Sequence, residues 1–144
     1  MTEPLERLVY CSTATVPTDS LVLIAQILSV SQRNNDRDGL TGALAISDGW
    51  FLQVLEGRPS ALDALLRRLE TDTRHKDIVV LARRTVKARL FDEWSMQSAR
   101  VDPSISPALR ALIDDCRTSP EDAVAAMVKL VARQKERAVT FRGA

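Results

Sequence analysis

In the stretch Trp50-Phe51-Leu52-Gln53-Val54-Leu55-Glu56 a carboxamide stands among hydrophobes, on the strand face it shares with Phe51 and Leu55. A buried amide without hydrogen-bond partners costs about 1 to 3 kcal/mol, so something polar should lie opposite Gln53. Tyr10, the only tyrosine, is one candidate. Ser31, Asn34 and Asn35 carry the apolar stripes of a helix into hydroxyl and amide groups, and Arg68 and Asp72 stand four residues apart on a second helix. Together these groups could line a slot with a polar edge. The plain alternative satisfies each one locally: Gln53 on a neighbouring strand, Asn34 and Asn35 at a helix end, Tyr10 half-exposed, and Arg68 paired with Asp72.

Several other chemistries lack their parts. The single histidine, His75, sits in the charged run Thr73-Arg74-His75-Lys76, which reads as a solvated turn, and no GxSxG elbow accompanies it. Lone His75 beside scattered acids gives no metal-ligand cluster, so no metal site is expected. The five glycines, at 39, 42, 49, 57 and 143, form neither a GxGxxG nor a Walker loop, which argues against ATP and NAD. Cys11 and Cys116 lack CxxC spacing and are expected to be reduced, buried thiols.

The elements that would hold the polar residues follow from periodicity. Residues 5 to 12 form a strand with Leu8 and Tyr10 on one face and Val9 and Cys11 on the other. A helix after Pro17, capped among Thr18, Asp19 and Ser20, carries stripes of Leu21, Ile24, Leu28 and Leu23, Ile27, Val30, and ends at Asp38-Gly39. Residues 40 to 47 and 50 to 56 make a hairpin across Asp48-Gly49. A second helix starts after Gly57-Arg58-Pro59 with Ser60 as its cap, and presents Leu62, Leu65, Leu66 and Leu69. Strands at 78 to 86 and 94 to 101 complete the order β-α-β-β-α-β-β.

That order predicts an α+β, ferredoxin-like sheet with both helices on one face, because right-handed crossovers place them there. Two further amphipathic helices, one with Leu109, Leu112, Ile113 and Cys116 and one with Val124, Met127, Val128 and Val131, are then available to cover Val9, Cys11, Leu52 and Val54 on the other face. A dimer interface is the alternative cover. The 144 residues suit one compact unit, read as residues 1–103 for the core domain and 104–144 for a helical extension. A net charge of +1 argues against a dedicated nucleic-acid binder, and the absence of a long apolar run argues against membrane insertion and a leader peptide. The cytoplasm is the expected location.

Five blocks carry a resemblance that spacing alone does not supply. Leu8-Val9-Tyr10-Cys11-Ser12, Ser31-Gln32-Arg33-Asn34-Asn35, Gly39-Leu40-Thr41-Gly42, Phe51-Leu52-Gln53-Val54-Leu55-Glu56-Gly57 and Trp94-Ser95-Met96-Gln97 occur in the order and spacing of the BLUF family of flavin photoreceptors, across about residues 5 to 101. The two extra helices resemble those of short, stand-alone members, which act through partner proteins and carry no fused enzyme. The resemblance implies a non-covalent flavin, usually FAD with FMN or riboflavin as alternatives, held between the two helices. It implies that Asn35 bonds the ring's carbonyl edge, that Asn34 is a second contact, that Arg68 and Asp72 are flavin-side contacts, and that Ser31 orients its neighbours. Gln53 would stand between Tyr10 and the flavin, with Trp94 and Met96 competing for the neighbouring place and relaying the signal into the last strand.

On that reading the protein is a light sensor and not an enzyme, in which photons rearrange a Tyr10–Gln53–flavin hydrogen-bond chain. Its partners would be the flavin, an unidentified downstream protein, and a second copy in a homodimer or higher oligomer. A ferredoxin-like ligand-binding or interaction module without photochemistry is the alternative. An acylphosphatase-like hydrolase is a more distant one.

Overall fold

The computed structural model describes residues 3–15, 21–47, 49–91 and 97–100, with 121, 122, 124, 125, 127 and 128. Its elements are β1 (Glu6–Ala14), α1 (Leu21–Asp38), β2 (Thr41–Ser47), β3 (Trp50–Gly57), α2 (Pro59–Thr71), β4 (His75–Thr85) and β5 (Gln97–Arg100). They build one five-stranded sheet in the order β4-β1-β3-β2-β5. All pairs are antiparallel except β2 with β5, which run parallel. This is the ferredoxin-like order that the β-α-β-β-α-β pattern predicts, with β5 added outside β2.

The hairpin forms where expected. Gly49 adopts φ +83°, the left-handed region that a two-residue turn demands and that glycine enters without a Cβ penalty. Gly39 does the same at φ +70°, directly after α1 ends at Asp38.

Alternation along β1 and β3 sorts their residues onto two faces. Leu8, Tyr10, Phe51 and Leu55 meet Leu62 and Leu65 of α2 in one core, together with Leu40 and Leu44. Val9, Leu52 and Val54 are also buried, on the opposite side. The described residues between 121 and 128 are helical, and Val124 and Met127 are buried. Val124 and Ala125 line a cavity with Val9 and Ala82, and Arg84 pairs with Glu121, so this segment packs on the second face of the sheet. The stretch with Leu109 to Cys116, and the cap at Thr18 to Ser20, lie outside the described residues.

Three local expectations change. Ser60 does not cap α2: Arg58 is the N-cap residue, without a side-chain cap bond, and Pro59 opens the helix. Proline's fixed φ suits the first helical position, which moves the start two residues earlier than a serine cap would put it. Ser60 donates instead, from its backbone N–H (3.2 Å) and its hydroxyl (2.8 Å), to the carboxylate of Glu3, which sits where a helix N-terminus favours negative charge. β4 begins at His75, three residues before the predicted 78, and two register shifts against β1 accommodate the longer strand. Cys11 is half-buried rather than buried, because β4 lies at the sheet edge and Val79, its register partner, is itself exposed.

Candidate functional site

The two helices leave a cleft of about 350 Å³ between them, floored by the sheet. Tyr10 from β1, Leu44 from β2, and Phe51 and Gln53 from β3 make the floor. Asn34 and Asn35 of α1 face Leu65, Arg68 and Leu69 of α2 across it. Asp72 and Arg74, from the link between α2 and β4, and His75, the first residue of β4, close one end.

Tyr10 and Gln53 are register partners in the β1–β3 ladder. Directly opposed residues on one face of an antiparallel pair bring their side chains together. The Tyr10 hydroxyl donates to Gln53 Oε1, and the two residues are 3% and 5% exposed. The partner demanded by a buried amide is therefore the only tyrosine in the chain. Burial first, and the charge of Asp72 second, push the Tyr10 phenol far above its ordinary pKa, so it stays protonated.

The α1 amides lie inside the helix and not at its cap, since α1 continues to Asp38. Asn35 is 1% exposed and its backbone carbonyl accepts the N–H of Leu40 at 2.9 Å. Asn34 is partly buried on the cleft wall. Ser31 is in α1 one turn earlier, and its side chain lies outside the described residues, as do Trp94 and Met96 in full.

Arg68 and Asp72 both line the cleft, but they do not pair with each other. Arg68 Nη1 reaches Asp38 Oδ2 at the end of α1, 3.1 Å away, and so straps the two helices together. Asp72 terminates α2 and is held by Arg74, which donates its backbone N–H (3.0 Å), Nε (2.9 Å) and Nη2 (2.7 Å). Those bonds hold the Asp72 carboxyl below its ordinary pKa, against the opposing effect of burial. An i,i+4 pair is lost here because the helix stops at Thr71, leaving Asp72 in extended backbone.

His75 is a residue the sequence reading placed wrongly. Its side chain is 7% exposed, not solvated. Nδ1 lies 2.8 Å from Ser12 Oγ on the neighbouring strand, and the ring meets Phe51 edge-on at 5.8 Å and Tyr10 at 6.5 Å between centroids. Burial lowers its pKa, partly offset by Asp72. The only signal that could have found it is the apolar run after Lys76, which extends back into the charged segment as strand.

Two buried nitrogens in the cleft, Arg68 Nη2 and His75 Nε2, have no hydrogen-bond partner among the described residues. Buried polar atoms left this way are costly and point to a bound group that supplies the missing partners. A slot with an apolar floor, amides on one wall and cations on the other suits a planar aromatic ligand edged with carbonyls and ring nitrogens, and a flavin ring fits that description.

Relatives agree. Residues 5–97 match the model of the family described as BLUF, sensors of blue-light using FAD. The structure of BlrB, described as a BLUF protein in its dark state, is 31% identical with a TM-score of 0.74, over 93% of this chain and 99% of that one. A bacterial light-regulated adenylyl cyclase is also 31% identical, with a TM-score of 0.67 over 90% of this chain and 39% of that chain. Photoactivated adenylate cyclase subunit alpha of Euglena gracilis is 32% identical over 111 residues, 76% of this chain. The chain spans only 11% of that protein's length and 13% of the related beta subunit of Euglena longa. Fold, cleft and family match lead to one conclusion: this chain belongs to the BLUF family of flavin-binding blue-light sensors.

Proposed function

We propose that this photoreceptor works by re-aiming one buried hydrogen bond, that between Tyr10 and Gln53. The carrying observation is the Tyr10 hydroxyl on Gln53 Oε1 at the floor of a cleft that holds two buried nitrogens without a partner among the described residues. Asn34, Asn35, Arg68 and Asp72 would hold the flavin, with His75 added to the set the sequence suggested. FAD is the favoured form, as in the family's description, with FMN and riboflavin as the alternatives.

Bound flavin supplies absorption of blue light and, once excited, a strong oxidant. The chain's own groups do the rest. Tyr10 is protonated at rest, and losing an electron makes its hydroxyl proton strongly acidic. Gln53 Oε1 is the atom placed to take that proton. An amide both donates and accepts, so it can pass a proton and be left in a new orientation or tautomer when electron and proton return to Tyr10. The Gln53 dipole then points differently into the cleft until thermal reversion.

The signal is read as leaving through Trp94, Met96 and β5 toward residues 104–144, which act as an output extension of the same unit. The target is an effector protein met in the cytoplasm, with a homodimer or higher oligomer compatible with this output. Relatives described as light-regulated cyclases support control of an effector by such a domain. The test is spectroscopic: flavin-loaded protein should shift reversibly to the red under blue light, and protein that cannot retain flavin would support the module without photochemistry.

A further inference from the structure

β3 carries two buried polar side chains three residues apart, and strand alternation puts them on opposite faces. Gln53 looks into the cleft, whereas Glu56, 0% exposed, looks away from it. Glu56 Oε1 accepts the backbone N–H groups of Leu90 (2.9 Å) and Phe91 (2.9 Å). Its Oε2 accepts Leu90 N–H (3.0 Å), Arg7 Nε (2.9 Å) and Arg7 Nη2 (2.8 Å).

The connector at 86–91 after β4 is thus tied to the strand that bears Gln53. Arg89 adds to the hold from the other side, donating to the Glu56 carbonyl (2.9 Å), Thr41 Oγ1 (2.8 Å) and the Gly39 carbonyl (3.1 Å). Arg7 also reaches the Ala88 carbonyl at 3.3 Å. Phe91 ends this stretch fully buried. Burying a carboxylate is expensive, and holding a loop needs no charge, since apolar packing would serve. What a carboxylate adds is direction: its bonds to two successive amides change as it moves.

We propose that Glu56 is a positioning residue that carries the rearrangement of Gln53 through the sheet to the 86–91 connector. The inference rests on the reading of Gln53 given above. β3 is paired on both sides, to β1 and β2, so a tilt at Gln53 is transmitted along the strand instead of being absorbed locally. At Glu56 it meets Leu90, Phe91 and Arg7. Arg7 and Leu90 line a cavity of about 290 Å³ with Val9, Val124 and Ala125, where the helical residues between 121 and 128 lie on the sheet. The route therefore ends under the C-terminal segment.

Amide proton and nitrogen shifts of Leu90 and Phe91, recorded by NMR on the flavin-loaded chain in darkness and under blue light, test this. In the unmodified protein both should move on illumination and recover at the rate of the visible red shift. Glu56→Gln should keep flavin and red shift but cut that light-driven movement at least twofold. Arg89→Gln, which loosens the same connector without altering the carboxylate, should leave it intact. A normal red shift over motionless amides in the unmodified protein would overturn the relay alone, and so would full-sized movement in Glu56→Gln. Loss of the red shift in the unmodified protein would sink the photochemical reading and the relay with it. If Glu56→Gln does not fold, the unmodified protein decides.

Discussion

Tyr10 faces Gln53 directly across the β1–β3 ladder, and its hydroxyl is hydrogen-bonded to the amide oxygen where two helices part above the sheet. That bond joins the residue able to give up an electron and proton to the residue able to change its orientation. Tyr10→Phe should therefore keep the fold and retain flavin, with no reversible red shift. Losing one buried hydroxyl and leaving Gln53 Oε1 short of a donor should cost about 1 to 3 kcal/mol. A dark-minus-lit absorption spectrum and a urea titration check the two parts.

Arg68 has one nitrogen on Asp38 and another, Nη2, buried without a partner among the described residues. If that nitrogen meets the flavin, Arg68→Met should weaken flavin affinity by roughly ten- to a hundredfold, the value of a charged hydrogen bond of about 1.5 to 3 kcal/mol. Titrating the protein into riboflavin and FMN while following fluorescence measures it. Unchanged affinity for both would remove Arg68 from the site.

His75 gives the stability a pH dependence of defined sign. Burial lowers its folded-state pKa below the ordinary 6.5, so as pH falls through 6.5 the unfolded chain takes up a proton before the folded one does. Stability is then lost progressively on acidification from that point until the lower folded value is passed. Asp72 acts further down, its stabilisation present above about 3.8 and lost as pH falls through its depressed folded value. The urea midpoint should be flat above about pH 7 and fall toward about pH 5, and His75→Gln should flatten that fall. An equal slope in the variant would contradict the assignment.

Gly42 lies on β2 where a Cβ would run into the Val54 carbonyl of β3. That neighbour is backbone in a paired strand and cannot yield as a side chain would. Gly42→Ala should cost about 3 kcal/mol, at the upper end of overpacking penalties, and show as a lowered urea midpoint. A neutral substitution would mean that the β2–β3 ladder is looser than the register implies.

Much of this arrangement is legible in the sequence, and what is legible is local. Period-two alternation around Tyr10 and Gln53, the Asp48-Gly49 turn and the leucine stripe of α2 each depend on neighbours within a few residues. The misread positions depend on distant chain. Arg68 finds Asp38 thirty residues away rather than Asp72, because the helix ends before an i,i+4 pair can form. Ser60 yields the cap to Arg58 and answers Glu3 instead. His75 looks like a solvated turn residue until Ser12 and Phe51, brought beside it by the β1–β4 and β1–β3 pairings, bury it. Glu56, ahead of a glycine at a strand end, shows nothing of the Leu90 and Phe91 amides that fold back onto it.

The most direct test of the central claim is a blue-light difference spectrum of flavin-loaded unmodified protein beside its Gln53→Leu variant. A reversible red shift in the first and none in the second, at equal flavin occupancy, is the predicted result. A shift of full size in Gln53→Leu would contradict the account, because the amide would then have no part in the response.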